Sequence, residues 1–579
     1  MTMPTPVGRP ASGSGVAAPD APGTAVYKGL KAGSLGLVSS VVVGMASTAP
    51  AYSLAASLGI VVATADIKAP AIMLLAFVPM YFIAVAYKEL NQAEPDCGTT
   101  FTWASRAFGP VVGWMGGWGI IAADIIVMAN LAQIAGAYSF TLLSDLGWSS
   151  AGDLATSTLW STVAGVLWIM IMTYICYRGI EISARLQYAL LSIEVLVLIV
   201  MSVVALVRVY SGHGVNVSVR PSFAWLIPWG SGMSVGSVVA PAVLAAVFIY
   251  WGWDTAVATN EEADDPGRTP GRAAVISTVL LLVTYVLVSV SLIAFAGTGT
   301  KGIGLANPSN AGNVFAGIGS VLFGSSALGK IGLALLSISV LSSAASSTQT
   351  TILPTARTAL AMAAYKAIPA KFARIHRRYL TPTWATIGMG IASIAFYLLI
   401  TAVSPHLLLA LIGSIGLQIA FYYGLTGFAC VWFYRRTLTS SPRHFLMRGV
   451  VPLLGGIFLF VMFIYALVQY AKPTNLVDAD GNNITIFGIG AVAVVGVLAL
   501  LLGLVLLAVQ RSVSPSFFRG RTLPKRSADL VLIGTQDEAV FSTLPGSGEQ
   551  ATVIAPDLSN LPAGYVAIDP ETGKEYRKT

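Results

Sequence analysis

The chain alternates between long apolar runs and short polar connections. The runs fall at about residues 34–62, 69–88, 111–143, 158–177, 184–208, 238–260, 273–297, 328–352, 383–403, 406–434, 448–470 and 485–510. Each is close to the roughly 20 residues that a helix needs to cross a bilayer. The pattern therefore predicts an all-α integral membrane protein with twelve transmembrane helices.

Two of the runs are interrupted where the chain should lie inside the bilayer. The first contains Gly44-Met-Ala-Ser-Thr-Ala-Pro50, whose small and cyclic residues weaken a helix and free backbone groups. The sixth contains Gly252 and Asp254, and a carboxylate at this depth is tolerated only beside a cavity or other protein. Because runs one and six enter from opposite sides, we expect a 5+5 inverted repeat with discontinuous helices 1 and 6 and a binding site at the breaks.

Composition and run positions divide the chain into three parts. Residues 1–26, rich in Pro, Gly, Ala and Ser, are expected to form a disordered cytoplasmic arm. Residues 27–510 are expected to form the twelve-helix domain, with repeat one at about 34–208, repeat two at about 238–434 and extra helices at 448–470 and 485–510. Residues 511–579 are expected to form a cytoplasmic tail, whose alternating end could be a marginal hairpin or disordered.

Charge sets the expected orientation. Only 10% of the residues are charged, compared with about 25% in soluble chains. If both termini are cytoplasmic, 27 of the 33 lysines and arginines lie inside and 6 outside, which favours this orientation in the plasma membrane. The basic loops are topology signals first and contacts for anionic lipids second, and the pattern leaves no soluble domain for nucleic acid. No metal, cofactor or nucleophile–base motif is present, so an enzyme is not expected.

Four stretches carry a specific resemblance to a known family: Gly44 to Pro50, Glu89 to Trp103 with Ala107-Phe-Gly-Pro110, Phe248 to Asp254 with Glu261-Glu262, and Arg357 to Pro369. Together and in this order they resemble the amino acid–polyamine–organocation (APC) superfamily of permeases, which have a LeuT-type fold. The resemblance implies a secondary active transporter of amino acids or related amines, driven by a proton or sodium gradient through alternating access. The alternative is a membrane sensor of the same fold that binds a substrate without transporting it.

The resemblance implies that a substrate binds between the two breaks. Its carboxylate would meet backbone amides and hydroxyls of the first break, since free amides at a helix end attract anions; the residues concerned are Gly44, Met45, Ala46, Ser47 and Thr48. Its ammonium group would meet the carbonyls and rings of the second break, at Ile249, Tyr250, Trp251, Gly252 and Trp253. The alternatives are close helix packing through small residues and an interfacial aromatic belt.

Three carboxylates inside the runs have open roles. Asp254 either caps the restarted helix or tethers its backbone, or it contacts the substrate directly. Glu194 lies where many members of the family have a lysine tied to proton-linked transport, and a carboxylate there could carry a coupling proton or simply bond to neighbouring helices. Asp124 could line a vestibule or bond to span eight or ten.

Hydroxyl and amide side chains supply the remaining candidates. Span eight is rich in serine, and Ser342 and Ser343 could hold a sodium ion, although close packing of small residues explains the same pattern. On span ten, Gln418 and Tyr422 could form part of a gate.

Overall fold

The computed structural model describes residues 28–230, 232–311, 313–404, 407–477, 481–525, 566–568 and 575–577. The predicted arm at 1–26 and most of the predicted tail lie outside these residues.

The described chain forms twenty α-helices. The first ten are α1 Leu37–Ser47, α2 Pro50–Ala65, α3 Ala69–Ala93, α4 Thr100–Phe108, α5 Pro110–Asp145, α6 Ala151–Thr156, α7 Thr158–Arg178, α8 Ile180–Tyr210, α9 Ala240–Val247 and α10 Thr255–Ala258. The others are α11 Thr269–Ala296, α12 Pro308–Ala311, α13 Val314–Phe323, α14 Ala327–Ala364, α15 Thr383–Val403, α16 Leu407–Tyr434, α17 Pro442–His444, α18 Val451–Tyr470, α19 Ala491–Val513 and α20 Pro515–Phe518.

The helical prediction is confirmed at the level of the whole fold. Within the described ranges, eleven helices are long and apolar enough to cross a membrane. The first of them is a run of 57 residues, Leu37–Ala93, that contains α1, α2 and α3. The protein is therefore a multi-pass membrane protein.

Two small antiparallel strand pairs accompany the helices. Strand β1 (Thr485–Ile486) pairs with β2 (Ile489–Gly490), and β3 (Val566–Ile568) pairs with β4 (Glu575–Arg577). The first pair occupies the start of the predicted last span, because Phe487 and Gly488 both adopt positive φ and turn the chain back. The last long helix consequently begins at Ala491 instead of 485.

Burial separates central helices from peripheral ones. In the most apolar window of α5, 72% of the residues are buried inside the protein, compared with 33% for α7 and for α15. The peripheral α7 exposes Leu167, Met170 and Ile171. Exposed apolar side chains on a membrane-spanning helix face lipid, so α5 is an inner helix and α7 an outer one.

The segments on either side of the helical bundle lie at the same end of it. Before α1, the Lys28 ammonium contacts the Asp96 carboxylate at 2.8 Å. After α19, the Thr522 hydroxyl donates to the Tyr365 carbonyl at 2.6 Å, and Phe517 is fully buried there. We call this the terminal end, defined as the end that carries residues 28–36 and 514–525.

Candidate functional site

The first break lies between α1 and α2. Ala49 has a φ of 47°, a left-handed conformation that ends one helix and lets Pro50 begin the next. Gly44 to Ser47 form the last turn of α1, so the break falls at Thr48 and Ala49. The predicted interruption is therefore present, at the carboxyl end of the predicted stretch.

The second break interrupts the sixth span between α9 and α10. Helix α9 passes into a tight turn over Phe248–Tyr250 and then into non-helical chain, and α10 begins only at Thr255. Gly252 has a φ of 116°, which strongly favours glycine. The sequence pattern predicted both the position of this break and the residue that makes it.

The two breaks touch each other. A methyl group placed on Gly252 would lie 2.7 Å from the Ser47 carbonyl oxygen, so only glycine allows this approach. The Ser47 hydroxyl also hydrogen-bonds the Thr255 hydroxyl at 2.8 Å. On the other side, the Ser347 hydroxyl of α14 donates to the Ser47 carbonyl at 3.0 Å. Ser47 is thus the residue where α1, the second break and α14 meet.

All eleven residues predicted to bind substrate are buried: Gly44, Met45, Ala46, Ser47, Thr48, Ile249, Tyr250, Trp251, Gly252, Trp253 and Asp254. Their polar backbone groups are largely paired within the protein. The amides of Thr48 and Ala49 donate to the Met45 and Ala46 carbonyls, and the Ile249 carbonyl accepts from the Tyr285 hydroxyl at 2.6 Å. The conformation is closed, and a ligand would have to replace these contacts.

Asp254 does not cap α10 with its side chain, so the capping role was wrong. Its carboxylate instead accepts hydrogen bonds from the Tyr423 hydroxyl at 2.8 Å and the Tyr422 hydroxyl at 3.2 Å, both on α16. Tyr422 also accepts from the indole of Trp251. These tyrosines fix the second break to α16.

An aromatic cluster surrounds Trp253. Its ring centroid lies 5.2 Å from that of Tyr87 and 5.1 Å from that of Tyr423. Trp253 is fully buried, and its indole nitrogen has no hydrogen-bond partner among the described residues. The sequence did not single out Tyr87, which lies in an ordinary apolar run and reaches the break only through helix packing.

The side chain of Glu194, a residue of α8, lies at the amino terminus of α2. One carboxylate oxygen accepts the Ala51 amide at 2.7 Å and the Ser343 hydroxyl at 2.7 Å, while the Ser343 oxygen accepts the Tyr52 amide at 3.1 Å. The other carboxylate oxygen is buried without a partner among the described residues. A helix amino terminus favours an acceptor or a negative charge, and the group that meets the free Ala51 amide of this break is the chain's own Glu194 carboxyl.

The other candidates lie apart from the Glu194 contact. Asp124 accepts the Thr355 hydroxyl of α14 at 2.5 Å, which is the bond to span eight that the sequence left open. Ser342 donates to the Ser339 carbonyl within its own helix. Gln418 donates to the Gly496 carbonyl of α19 at 2.8 Å and so faces α19. The other gate candidate, Tyr422, hydrogen-bonds Trp251 and Asp254 of the second break.

A buried charge cluster closes the terminal end. The Lys28 ammonium lies 2.8 Å from the Asp96 carboxylate and 2.5 Å from that of Glu261, and the Cys97 sulfur lies within 4.8 Å of both acids' oxygens. Burial opposes charge on Lys28, but the two carboxylates raise the pKa of Lys28 well above its ordinary value; Lys28 in turn lowers the pKa of Asp96 against the effect of burial. The pair therefore stays charged near neutral pH.

A second ion pair joins α14 to the segment that follows α10. Arg357 of α14 makes a two-pronged contact with Glu262, at 2.9 and 2.8 Å, and both side chains are fully buried. The Glu262 carbonyl accepts the Ser34 and Leu35 amides, which precede α1. The network therefore ties α14, the segment after α10 and the chain before α1 together at the terminal end.

Replacing Arg357 should loosen that closure. Arg357→Met leaves Glu262 buried without its partner, a change that typically costs about 3–5 kcal/mol. Cys97 reports the opening, because burial hides its thiol and raises the thiol pKa. With Cys176 and Cys430 replaced by serine, we expect maleimide to label Cys97 at least about tenfold faster in Arg357→Met than in the parent.

Exposed Lys330 provides the matched control for this test. Lys330→Met removes one positive charge outside the network and should leave the Cys97 labelling rate unchanged. Equal labelling in the Arg357→Met protein and its parent would show that the ion pair does not hold the terminal end closed.

Comparison with known proteins finds related sequences. The model of the amino acid permease family matches residues 35–494. The branched-chain amino acid permease BcaP of Bacillus subtilis is 25% identical over 401 residues, which covers 66% of this chain and 77% of that protein. The permease of the same name from Lactococcus lactis subsp. cremoris is 26% identical over 231 residues, covering 38% of this chain and 47% of that protein. The vacuolar cationic amino acid transporter 4 of Arabidopsis thaliana is 25% identical over 350 residues, covering 58% of this chain and 53% of that protein.

The chain belongs to the amino acid permease family, within the APC superfamily, because the match covers most of its length. This confirms the resemblance drawn from the four sequence stretches. Membership places the chain among transporters and not among enzymes. The match covers only about half of the Lactococcus permease, so substrate and coupling are matters for proposal.

Proposed function

We propose that this protein is a secondary active transporter that moves amino acids or related amines across the plasma membrane, coupled to protons. The observation that carries the proposal is the contact between the two breaks, where Gly252 lies against the Ser47 carbonyl. Helices broken at matching positions, with backbone groups that can turn to a ligand, are typical of transporter binding sites at the middle of the membrane. The names of the related permeases and transporters support amino acids as the substrate class.

The substrate would bind where the breaks now touch. Separation of Ser47 from Gly252 and Thr255 frees carbonyl and hydroxyl groups that can bind the amino and carboxylate groups of an amino acid. No hydrogen bond among the described residues uses the Trp251 carbonyl, which remains available to an ammonium group. The Trp253 indole nitrogen is similarly unpaired within the described chain.

Coupling would act through Glu194. As a carboxylate, Glu194 accepts the Ala51 amide and holds the amino terminus of α2. Protonation removes its negative charge and weakens that hold, since a helix amino terminus favours anions. Movement of the first break would therefore depend on proton binding, while the serines of α14 offer the alternative of a sodium site.

Twelve crossings best account for the helix lengths. A straight helix of 57 residues would be about 85 Å long, nearly three times the hydrocarbon core, so Leu37–Ala93 would cross twice, reversing near Asp66 where φ is 51°. Alternating access would then rock α1 to α3 and α9 to α11 against α5, α7, α14 and α15, as in a 5+5 inverted repeat.

Both termini would lie in the cytoplasm, because this orientation puts most lysines and arginines inside. Single cysteines at Ser309 and Lys371, both exposed positions, test it. In a cysteine-free background, an impermeant maleimide added to whole cells should label Ser309→Cys and should miss Lys371→Cys until the membrane is permeabilised. The reverse labelling pattern would contradict the proposed orientation.

Ligand binding tests the substrate class. A ligand that binds only the folded state raises the melting temperature. In a thermal-shift screen of the purified protein, we expect an amino acid to raise the melting temperature and Gly252→Leu to abolish the shift. Shifts with sugars or nucleosides, and none with amino acids or amines, would contradict the proposal.

A further inference from the structure

A positively charged cavity lies at the terminal end, away from the two breaks. Its volume is about 130 Å³, and its lining consists of Lys88, Gln92, Gly267, Arg268, Arg272 and Arg443. Four of these six residues carry cationic side chains. Side chains of one charge lining a concavity strengthen the local field, so this cavity is suited to an anion.

The cavity walls are fixed by close packing and hydrogen bonds. A methyl group on Gly271 would lie 2.9 Å from the Lys88 Cα atom, so the start of α11 packs directly on the end of α3. The Asn91 amide donates to the Pro266 carbonyl at 2.7 Å and holds the loop that carries Gly267. These contacts bring cations from separate parts of the chain together.

Nearby carboxylates do not neutralise the cavity. Glu89 accepts from Arg448 at 2.7 Å, and its contact with Arg443 is as long as 3.9 Å. Within the described ranges, the Asp265 carboxylate accepts one hydrogen bond, from the backbone amide of Arg268. Among the described residues, no ion pair within 4.0 Å involves the side chains of Lys88, Arg268 or Arg272. Arginines unpaired in this way suit the oxygens of a phosphate group.

An exposed apolar stripe leads from the cavity along α11. Arg272, Ile276, Leu280 and Val283 follow the spacing of one helix face. The exposed fractions are 38% for Ile276, 40% for Leu280 and 60% for Val283. A phosphate with an attached acyl chain would place its charge among the arginines and its hydrocarbon along this stripe.

We propose that this cavity binds the phosphate group of an anionic phospholipid. A free phosphate ion shares the head-group chemistry but would make no use of the α11 stripe. The site lies apart from the breaks, so its occupancy is separate from substrate binding. Its expected role is to hold α3 and α11 together at the membrane surface.

The test is native mass spectrometry of the delipidated full-length protein titrated with phosphatidylglycerol. The double variant Lys88→Gln/Arg272→Gln removes two cations near the membrane surface. It should weaken the binding of phosphatidylglycerol about 10- to 30-fold. The control Arg185→Gln/Arg377→Gln removes two exposed cations elsewhere and should bind as the parent does. If the first double variant fails to fold, the single variant Arg443→Gln, at an exposed position, replaces it. This variant should weaken lipid binding severalfold.

Competing additives identify the source of the phosphate. Phosphatidylcholine should not displace phosphatidylglycerol, and inorganic phosphate should do so only at far higher concentration. If Lys88→Gln/Arg272→Gln and the control Arg185→Gln/Arg377→Gln weaken lipid binding equally, the proposed site is wrong. The lipid assignment would be wrong if inorganic phosphate bound as tightly as the lipid and if Lys88→Gln/Arg272→Gln weakened both to the same extent. Neither result bears on uptake, which tests the proposed function separately.

Discussion

Gly252→Leu should abolish amino acid uptake while the protein remains in the membrane. The new side chain would begin 2.7 Å from the Ser47 carbonyl oxygen and 3.1 Å from its hydroxyl, so the two breaks could not approach each other. The φ of 116° at this position adds strain of about 1–3 kcal/mol for any residue with a side chain. We expect initial uptake in proteoliposomes to fall at least about 100-fold, the equivalent of roughly 3 kcal/mol.

Gly212→Leu provides the matched control. Gly212 also has a positive φ, of 77°, but a methyl group there would meet no atom within 4 Å. This variant carries the backbone strain without the collision and should transport as the parent does. Normal transport by Gly252→Leu would show that the contact between the breaks is not part of the site.

Glu194→Gln should lose proton-driven accumulation and retain exchange. The amide oxygen of glutamine can still accept the Ala51 amide and the Ser343 hydroxyl, but the side chain no longer binds and releases a proton. We expect the accumulation ratio under an imposed pH gradient to fall to about 1, with counterflow within about twofold of the parent. Glu194→Ala should be worse, because loss of the acceptor for a buried amide costs about 1–3 kcal/mol.

Glu181→Gln is the control on the same helix. Its half-exposed carboxylate pairs with Lys31 at 2.7 Å, outside the membrane-buried part of α8. Accumulation by this variant should match the parent. If Glu194→Gln still concentrates substrate under a proton gradient, the coupling ion must be sought at Asp124 or the serines of α14.

The breaks could be predicted from the sequence because their causes are local. Pro50 begins a helix and disfavours a helical residue before it, and Gly252 permits a backbone that other residues avoid. The need to satisfy polar groups inside a bilayer then limits such breaks to a site or a packed interface. Local chemistry of this kind is readable without any knowledge of packing.

The partners of these residues could not be predicted in the same way. The Asp254 carboxylate could bond to α10, to a substrate or to α16, and only the packing of α16 selects Tyr422 and Tyr423. Likewise, the Ala51 amide is as suitable for a substrate carboxylate as for Glu194, which lies 143 residues away. Choices between equal hydrogen-bond partners depend on tertiary structure.

The ion pairs at the terminal end could not be predicted from the sequence either. Glu261, Glu262 and Arg357 were recognised within stretches that resemble the family, but not as partners. Lys28 reaches Glu261 across 233 residues of chain, and nothing in the local pattern distinguishes it from other basic residues. Burial of Lys28, Glu262 and Arg357 follows only from the packing around them.

Accumulation of a radiolabelled amino acid by the purified protein in proteoliposomes tests the central claim most directly. With an inward proton gradient and a substrate chosen by thermal shift, the internal concentration should rise well above the external one. A protonophore should return it to equilibrium. Binding without accumulation, as expected of a sensor, or accumulation that is indifferent to the proton gradient would contradict the proposed proton-coupled transport.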